Sequence, residues 1–136
     1  MTTPLDRPPA AEAGPDLLVL QKWEAFAKWF LNHTGRWPKA ARFTLTQRLE
    51  NHVLDVTELL VQARYDPSLR RRLLYDVNLR LERMRFLHRI ARDARVENKK
   101  GFESTMRQID EVGRMVHGWH IATGDRKARV REQTPA

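Results

Sequence analysis

The stretch PSLRRRLLYDVNLRLERMRFLHRIARDAR, from Pro67 to Arg95, decides the fold. Leu74, Val77, Leu81, Met84, His88 and Ala91 recur at the three- and four-residue spacing that aligns them on one face of an α-helix, with Leu73 and Leu87 at its flanks. So regular a face has to pack on a core. The same stretch carries nine arginines and no lysine against Asp76, Glu82 and Asp93, a net charge of +6 in a chain whose total is +8. Roughly opposite the main face, about 140 to 180 degrees round the helical wheel, stand Leu79, Phe86 and Ile90. A monomer would leave this second stripe in water.

Three further helical patterns surround it. Upstream, Leu20, Trp23, Ala27, Phe30 and Leu31, widened by Leu17 and Phe26, predict a helix capped by Asp16 and running to about His33, where Thr34, Gly35 and Pro38 interrupt. The connection TGRWPKAARF brings Arg36, Lys39 and Arg42 against no acid, and its Trp37 and Phe43 are expected to pin it to the end of the bundle. Thr44 with Gln47 has the spacing of a capping box, opening a second helix with Leu45, Leu49, Val53, Val56, Leu59, Leu60 and Ala63 inward. Leu54 and Val61 point about 120 to 140 degrees away from that face. Asp66-Pro67 predicts the start of the central helix. Downstream, Asn98 is placed to cap a fourth helix with Phe102, Met106, Ile109, Val112, Val116 and Trp119 inward, Gly113 allowing close approach of a neighbour and Gly124 acting as a stop.

Four amphipathic helices with mostly short connections predict an all-α, antiparallel up-down four-helix bundle over residues 16–124. Residues 1–15, with four of the seven prolines, read as a disordered arm, and residues 125–136, with Arg126, Lys127, Arg129 and Arg131, as a disordered basic tail. The absence of cysteine excludes disulfides and thiolate metal sites. With no membrane-length apolar run and no basic-then-apolar opening, a cytoplasmic protein is expected.

The chemistry-bearing residues do not assemble into an active site. His117 and His120 are one turn apart without an acid on their face at ligand spacing, and His88 lies in the leucine face, so the expectation is no metal, no cofactor and no catalysis. The carboxylates lie amid arginines, where ion pairing is their ordinary use. A sequence isoelectric point near 10.6 points to polyanions: RNA, DNA or an acidic protein face. Arginine rather than lysine suits bidentate contact with phosphate. Leu54 and Val61, with Leu79, Phe86 and Ile90, are the candidate oligomer interface, Phe86 its anchor.

The segments VLQKWEAFAKWFLNHTGRWPKAARFT, LTQRLENHVLDVTELLVQARY, LRRRLLYDVNLRLERMRFLHRIARD and IDEVGRMVHGW together resemble the accessory variability determinant proteins of diversity-generating retroelements. These belong to a wider group of four-helix bundles first met as proteins encoded in ribosomal RNA intervening sequences. The resemblance spans about residues 16–121. It implies a non-catalytic homopentamer that binds the element's reverse transcriptase and its template RNA or cDNA. By motif, Arg42, Arg48, Arg85, Arg89 and Arg114 occupy family positions. His88 and His117 depart from the leucine and glycine usual there. The candidates for nucleic-acid or reverse-transcriptase contact are Arg36, Lys39, Arg42, Arg80, Arg83, Arg85, Arg89 and Arg92, with Arg85 and Arg89 foremost. Arg48 and Arg114 have the alternative of pairing with Glu50, Glu82 or Glu111 to hold the bundle. A second reading of the whole chain is an oligomeric interaction protein of the wider group that never touches nucleic acid.

Overall fold

The computed structural model describes residues 14–133. Four α-helices account for most of it: α1 Pro15–Thr34, α2 Gln47–Tyr65, α3 Arg70–Asp93 and α4 Lys99–Gln133, with no strand among the described residues. Each helix packs on its neighbour in sequence, and α4 returns beside α1. Short connections between such neighbours make them antiparallel, so the chain forms the expected all-α four-helix bundle. Of the expected terminal arms, residues 1–13 and 134–136 lie outside the described residues.

The α3 face is buried as its spacing predicts, from Leu73 and Leu74 through Val77, Leu81 and Met84 to His88 and Ala91. Leu49, Val53, Val56, Leu60 and Ala63 of α2 meet it, while Leu45 and Leu59 are half-buried beside them. Each large side chain removed from water contributes about 1.5 to 3 kcal/mol. Trp23 enters this core without orphaning its indole, whose Nε1–H donates to the Thr57 hydroxyl at 2.9 Å and to the Val53 carbonyl at 3.3 Å.

Several local expectations are corrected. The buried face of α1 is Val19, Trp23, Phe26, Phe30 and Thr34, so Leu31 turns outward and Leu20 and Ala27 sit at the edge. The four aromatics of that segment allowed two registers, and contact with α2 and α4 selected this one. Gly14, not Asp16, stands at the cap of α1, because Pro15 takes the first helical position; Asp16 instead pairs with Arg64 of α2 at 3.4 Å.

Before α2 the chain winds through a 3-10 turn, Lys39–Ala41, and a π-helical turn, Arg42–Thr46. No capping box forms there: residue 46 already has helical φ and ψ, and the Thr44 hydroxyl donates back to the Ala41 carbonyl at 3.2 Å. The wide turn swings Phe43 into solvent, at 83% exposure, so Trp37 alone pins the connection. Likewise Asp66-Pro67 does not start α3. The Asp66 amide closes α2 on the Gln62 carbonyl, and Arg70 then donates to the Ala63 and Arg64 carbonyls at 2.7 and 2.8 Å, capping the C-terminus of α2.

In α4 the Asn98 carboxamide accepts from the Gly101 amide at 2.7 Å, as the sequence suggests. Thr105 rather than Phe102 or Met106 is the buried residue of the first turns. At Gly113 the close neighbour is the Arg85 guanidinium, 2.8 Å from where a Cβ would stand. Gly124 does not stop α4, which runs on to Gln133, since no described glycine takes the positive φ that ends a helix. Nothing among the described helices is long and apolar enough to cross a membrane.

Candidate functional site

The arginines of α3 divide by what they touch. Arg70 caps α2 and lies over Trp119. Arg80 donates to Asp55 of α2 at 2.9 Å. Arg85 is held twice, by Glu82 one turn back and by Asp110 of α4, each at 2.9 Å. Arg92 pairs with Asp93 at 3.0 Å and covers Phe102. Arg89 lies over the Phe86 ring, 4.4 Å from its centroid. Arg83 has no carboxylate within reach among the described residues.

The ion pairs divide the candidates. Arg85, a foremost candidate for a partner, is committed to the α3–α4 seam. Arg48 and Arg114, the alternative structural pair, are exposed and find no described carboxylate, because Glu50 accepts from the Thr34 hydroxyl at 2.6 Å, Glu82 holds Arg85, and Glu111 holds Lys22. Spacing on a wheel assigns an angle, and the partner on the next helix decides whether a charge is spent. Arg36, Lys39 and Arg42 remain together, exposed on the α1–α2 connection.

The five interface candidates are all exposed, but they do not form one seam. Leu54 and Val61 line a groove of about 450 Å³ between α1 and α2, with Leu17, Leu20, Leu31 and Tyr65. Leu79 and Phe86 line a separate cleft of about 470 Å³ between α2 and α3, walled by Arg48, His52 and Arg83. Ile90 extends the α3 ridge one turn beyond Phe86.

Inside this cleft wall, His52 is held below the ordinary imidazole range, first by burial, then by the Arg80 charge, with Arg83 and Arg48 adding and Asp55 opposing. Arg80 reaches its Nδ1 at 3.4 Å.

A second polar constellation was not anticipated. Glu97, 1% exposed, accepts from His33 Nε2–H at 2.7 Å, His88 Nδ1–H at 2.8 Å and the Thr105 hydroxyl at 3.0 Å. Burial would raise its pKa, but the hydrogen bonds from His33, His88 and Thr105, with the charge of His88, carry it down to about 2. Being ionised, the carboxylate only accepts, so both imidazoles must donate. The turn after α3 aims it inward: Arg95 takes a left-handed φ of 61°, and the Val96 and Glu97 amides both close on the Ala91 carbonyl. Gly101 leaves the room, since a Cβ there would lie 2.5 Å from His33 Cε1. The one available signal was His88 itself, a polar side chain on an apolar face that has to find a partner. No group of three or more His, Asp or Glu side chains among the described residues is arranged to hold a metal ion.

The outer faces of the bundle combine uncommitted arginines with exposed apolar side chains. The chain belongs to the bAvd-like family, whose model matches residues 17–122. No curated protein and no solved structure matches it.

Proposed function

We propose that this protein is the non-catalytic accessory subunit of a diversity-generating retroelement, an oligomer that binds the element's reverse transcriptase and its template RNA or cDNA through a basic surface. Family membership supports the setting. The observation that carries the binding role is the α2–α3 face, where Arg48, Arg83 and Arg89 stand beside Leu79, Phe86 and Ile90 with no described carboxylate neutralising them. Arginines left uncommitted on a folded surface serve phosphate well, through bidentate hydrogen bonds and counterion release. Arg36, Lys39 and Arg42 extend the basic surface at the bundle end.

Two unlike apolar surfaces, the α1–α2 groove and the α3 ridge, suit a heterologous contact in which each copy offers its ridge to the next one's groove. Such contacts close into a ring when the rotation from copy to copy divides a full turn. A ring of five is what the family resemblance implies, and it would array the arginines of every copy around one assembly.

The test has two measurements on the purified full chain. Light scattering is expected to give a mass several times that of the monomer. Fluorescence anisotropy with a single-stranded RNA is expected to show binding whose logarithm falls linearly with the logarithm of salt, and immobilised protein is expected to retain the reverse transcriptase. An oligomer indifferent to RNA and to the enzyme at low salt would leave only the interaction-protein reading, and a monomer would remove the assembly on which both readings rest.

A further inference from the structure

The cleft between α2 and α3 holds a chemical arrangement that general basicity does not explain. Its polar wall brings Arg48 from α2 and Arg83 and Glu82 from α3 beside one imidazole, His52, which Arg80 of α3 also reaches at 3.4 Å. Two acids face the same region: Asp55 of α2, spent on Arg80 at 2.9 Å, and Glu82 of α3, spent on Arg85 at 2.9 Å. Arg48 and Arg83 therefore leave about two positive charges beside the ring with no paired acid among the described residues. The floor is apolar, made by Leu79, Phe86 and Leu87. Charges beside such a floor act on one another more strongly than they would in open water.

We infer that this cleft is a phosphodiester site in which Arg48 and Arg83 clamp the phosphate of a nucleic-acid strand and His52 takes up a proton as the phosphate binds. This deepens the nucleic-acid reading above and rests on it. With the cleft empty, protonating His52 adds a fourth cation to three, and burial with the arginine field opposes it. A phosphodiester stays ionised across the physiological range and reverses that field at the ring. His52 then becomes a further donor to the phosphate, on the side Arg48 and Arg83 leave open. The sign follows from linkage: the bound state holds more protons than the free state, so affinity rises as pH falls. A phosphodiester suits this site better than an acidic protein segment, because its two non-bridging oxygens project from a tetrahedral centre and can meet donors in different planes, whereas the two oxygens of a carboxylate accept mainly in one plane.

The test is equilibrium binding of a fluorescent single-stranded oligonucleotide to the full chain at constant ionic strength, between about pH 8 and about pH 5.5. Wild type is expected to bind more tightly as pH falls, by at most about tenfold per pH unit for one proton. His52→Gln is expected to match wild type within about twofold at the alkaline end and to lose the rise, since an amide cannot take the proton. The double variant Arg48→Ala, Arg83→Ala is expected to bind weakly at every pH, with a salt slope shallower by about two. Circular dichroism on each variant confirms that the surface changes leave the helices intact. A triple variant, Arg36→Ala with Lys39→Ala and Arg42→Ala, is expected to keep the pH response while losing some affinity.

An unchanged pH response in His52→Gln overturns the inference, as does undiminished binding by the double variant. In either case the nucleic-acid reading survives if wild type still binds. Wild type that binds no strand at all overturns both. A glutamate-rich peptide of equal charge that displaces the strand at lower concentration than free oligonucleotide assigns the cleft to a protein partner and likewise overturns it.

Discussion

The buried cluster around Glu97 and the open cleft around His52 both set imidazole among charged groups, and they resolve it in opposite ways. At Glu97 one carboxylate receives three donors inside the core, so every lone pair that matters is used and the cluster ties α1, α3 and the turn into α4 together. At His52 three arginines face one ring, and the nearby acids are already taken. In the first region the carboxylate is satisfied, although His88 Nε2 is buried without a partner among the described residues, and its role is structural. The second leaves charge unpaired, which a surface tolerates because water covers the deficit.

The strongest way to break this contrast is to remove the buried acid. Glu97→Ala leaves His33, His88 and Thr105 without their acceptor and is expected to cost about 3 to 5 kcal/mol in urea unfolding. Acid acts on the same group without mutation. Its folded pKa of about 2 lies below the unfolded 4.5, so its stabilisation is complete above the unfolded value and is lost as pH falls through the folded one. Denaturation midpoints between about pH 5.5 and about pH 2 are expected to record a loss of about 3 kcal/mol in wild type, and a smaller one in Glu97→Gln.

On the open side, Phe86→Asp is expected to weaken assembly by about 2 kcal/mol per contact, seen as a lower mass by light scattering with helix content unchanged. RNA binding should fall with it, although no arginine has been removed. Arg85→Ala against Arg83→Ala sharpens the division within α3. The first is expected to cost about 1 kcal/mol of stability through loss of Glu82 and Asp110, the second under about 0.5 kcal/mol while lowering the salt slope of RNA binding by about one. Gly118→Ala calibrates the scale. Nothing lies within 4 Å of a Cβ there, and the change is expected to raise stability by about 0.5 kcal/mol through helix propensity alone.

Periodicity made the bundle legible. Leu74 through Ala91 on α3 and Leu49 through Ala63 on α2 lie where a 3.6-residue repeat puts them, because a helix fixes side-chain direction from backbone geometry alone. The register of α1 was harder to read, since Trp23, Phe26, Trp29, Phe30 and Leu31 nearly encircle it and only contact with its neighbours chose which would be buried. The starts of α1, α2 and α3 each used different chemistry from what their cap residues suggested, because caps worth about 1 kcal/mol yield to the path that packing demands.

The candidate site was legible as composition and not as pairing. The excess of arginine, the second apolar stripes and the family resemblance all stand in the sequence by itself, and with them the fold. Tertiary structure decided which arginines are spent. It bound Arg85 to α4 and left Arg48 free on α2, it parted the apolar seam into a groove and a ridge, and it joined Glu97 to His88 nine residues away and to His33 sixty-four away. The physical reason is common to all three. A helical repeat determines the direction of each side chain, whereas charge neutralisation and burial depend on what a different helix brings to meet it.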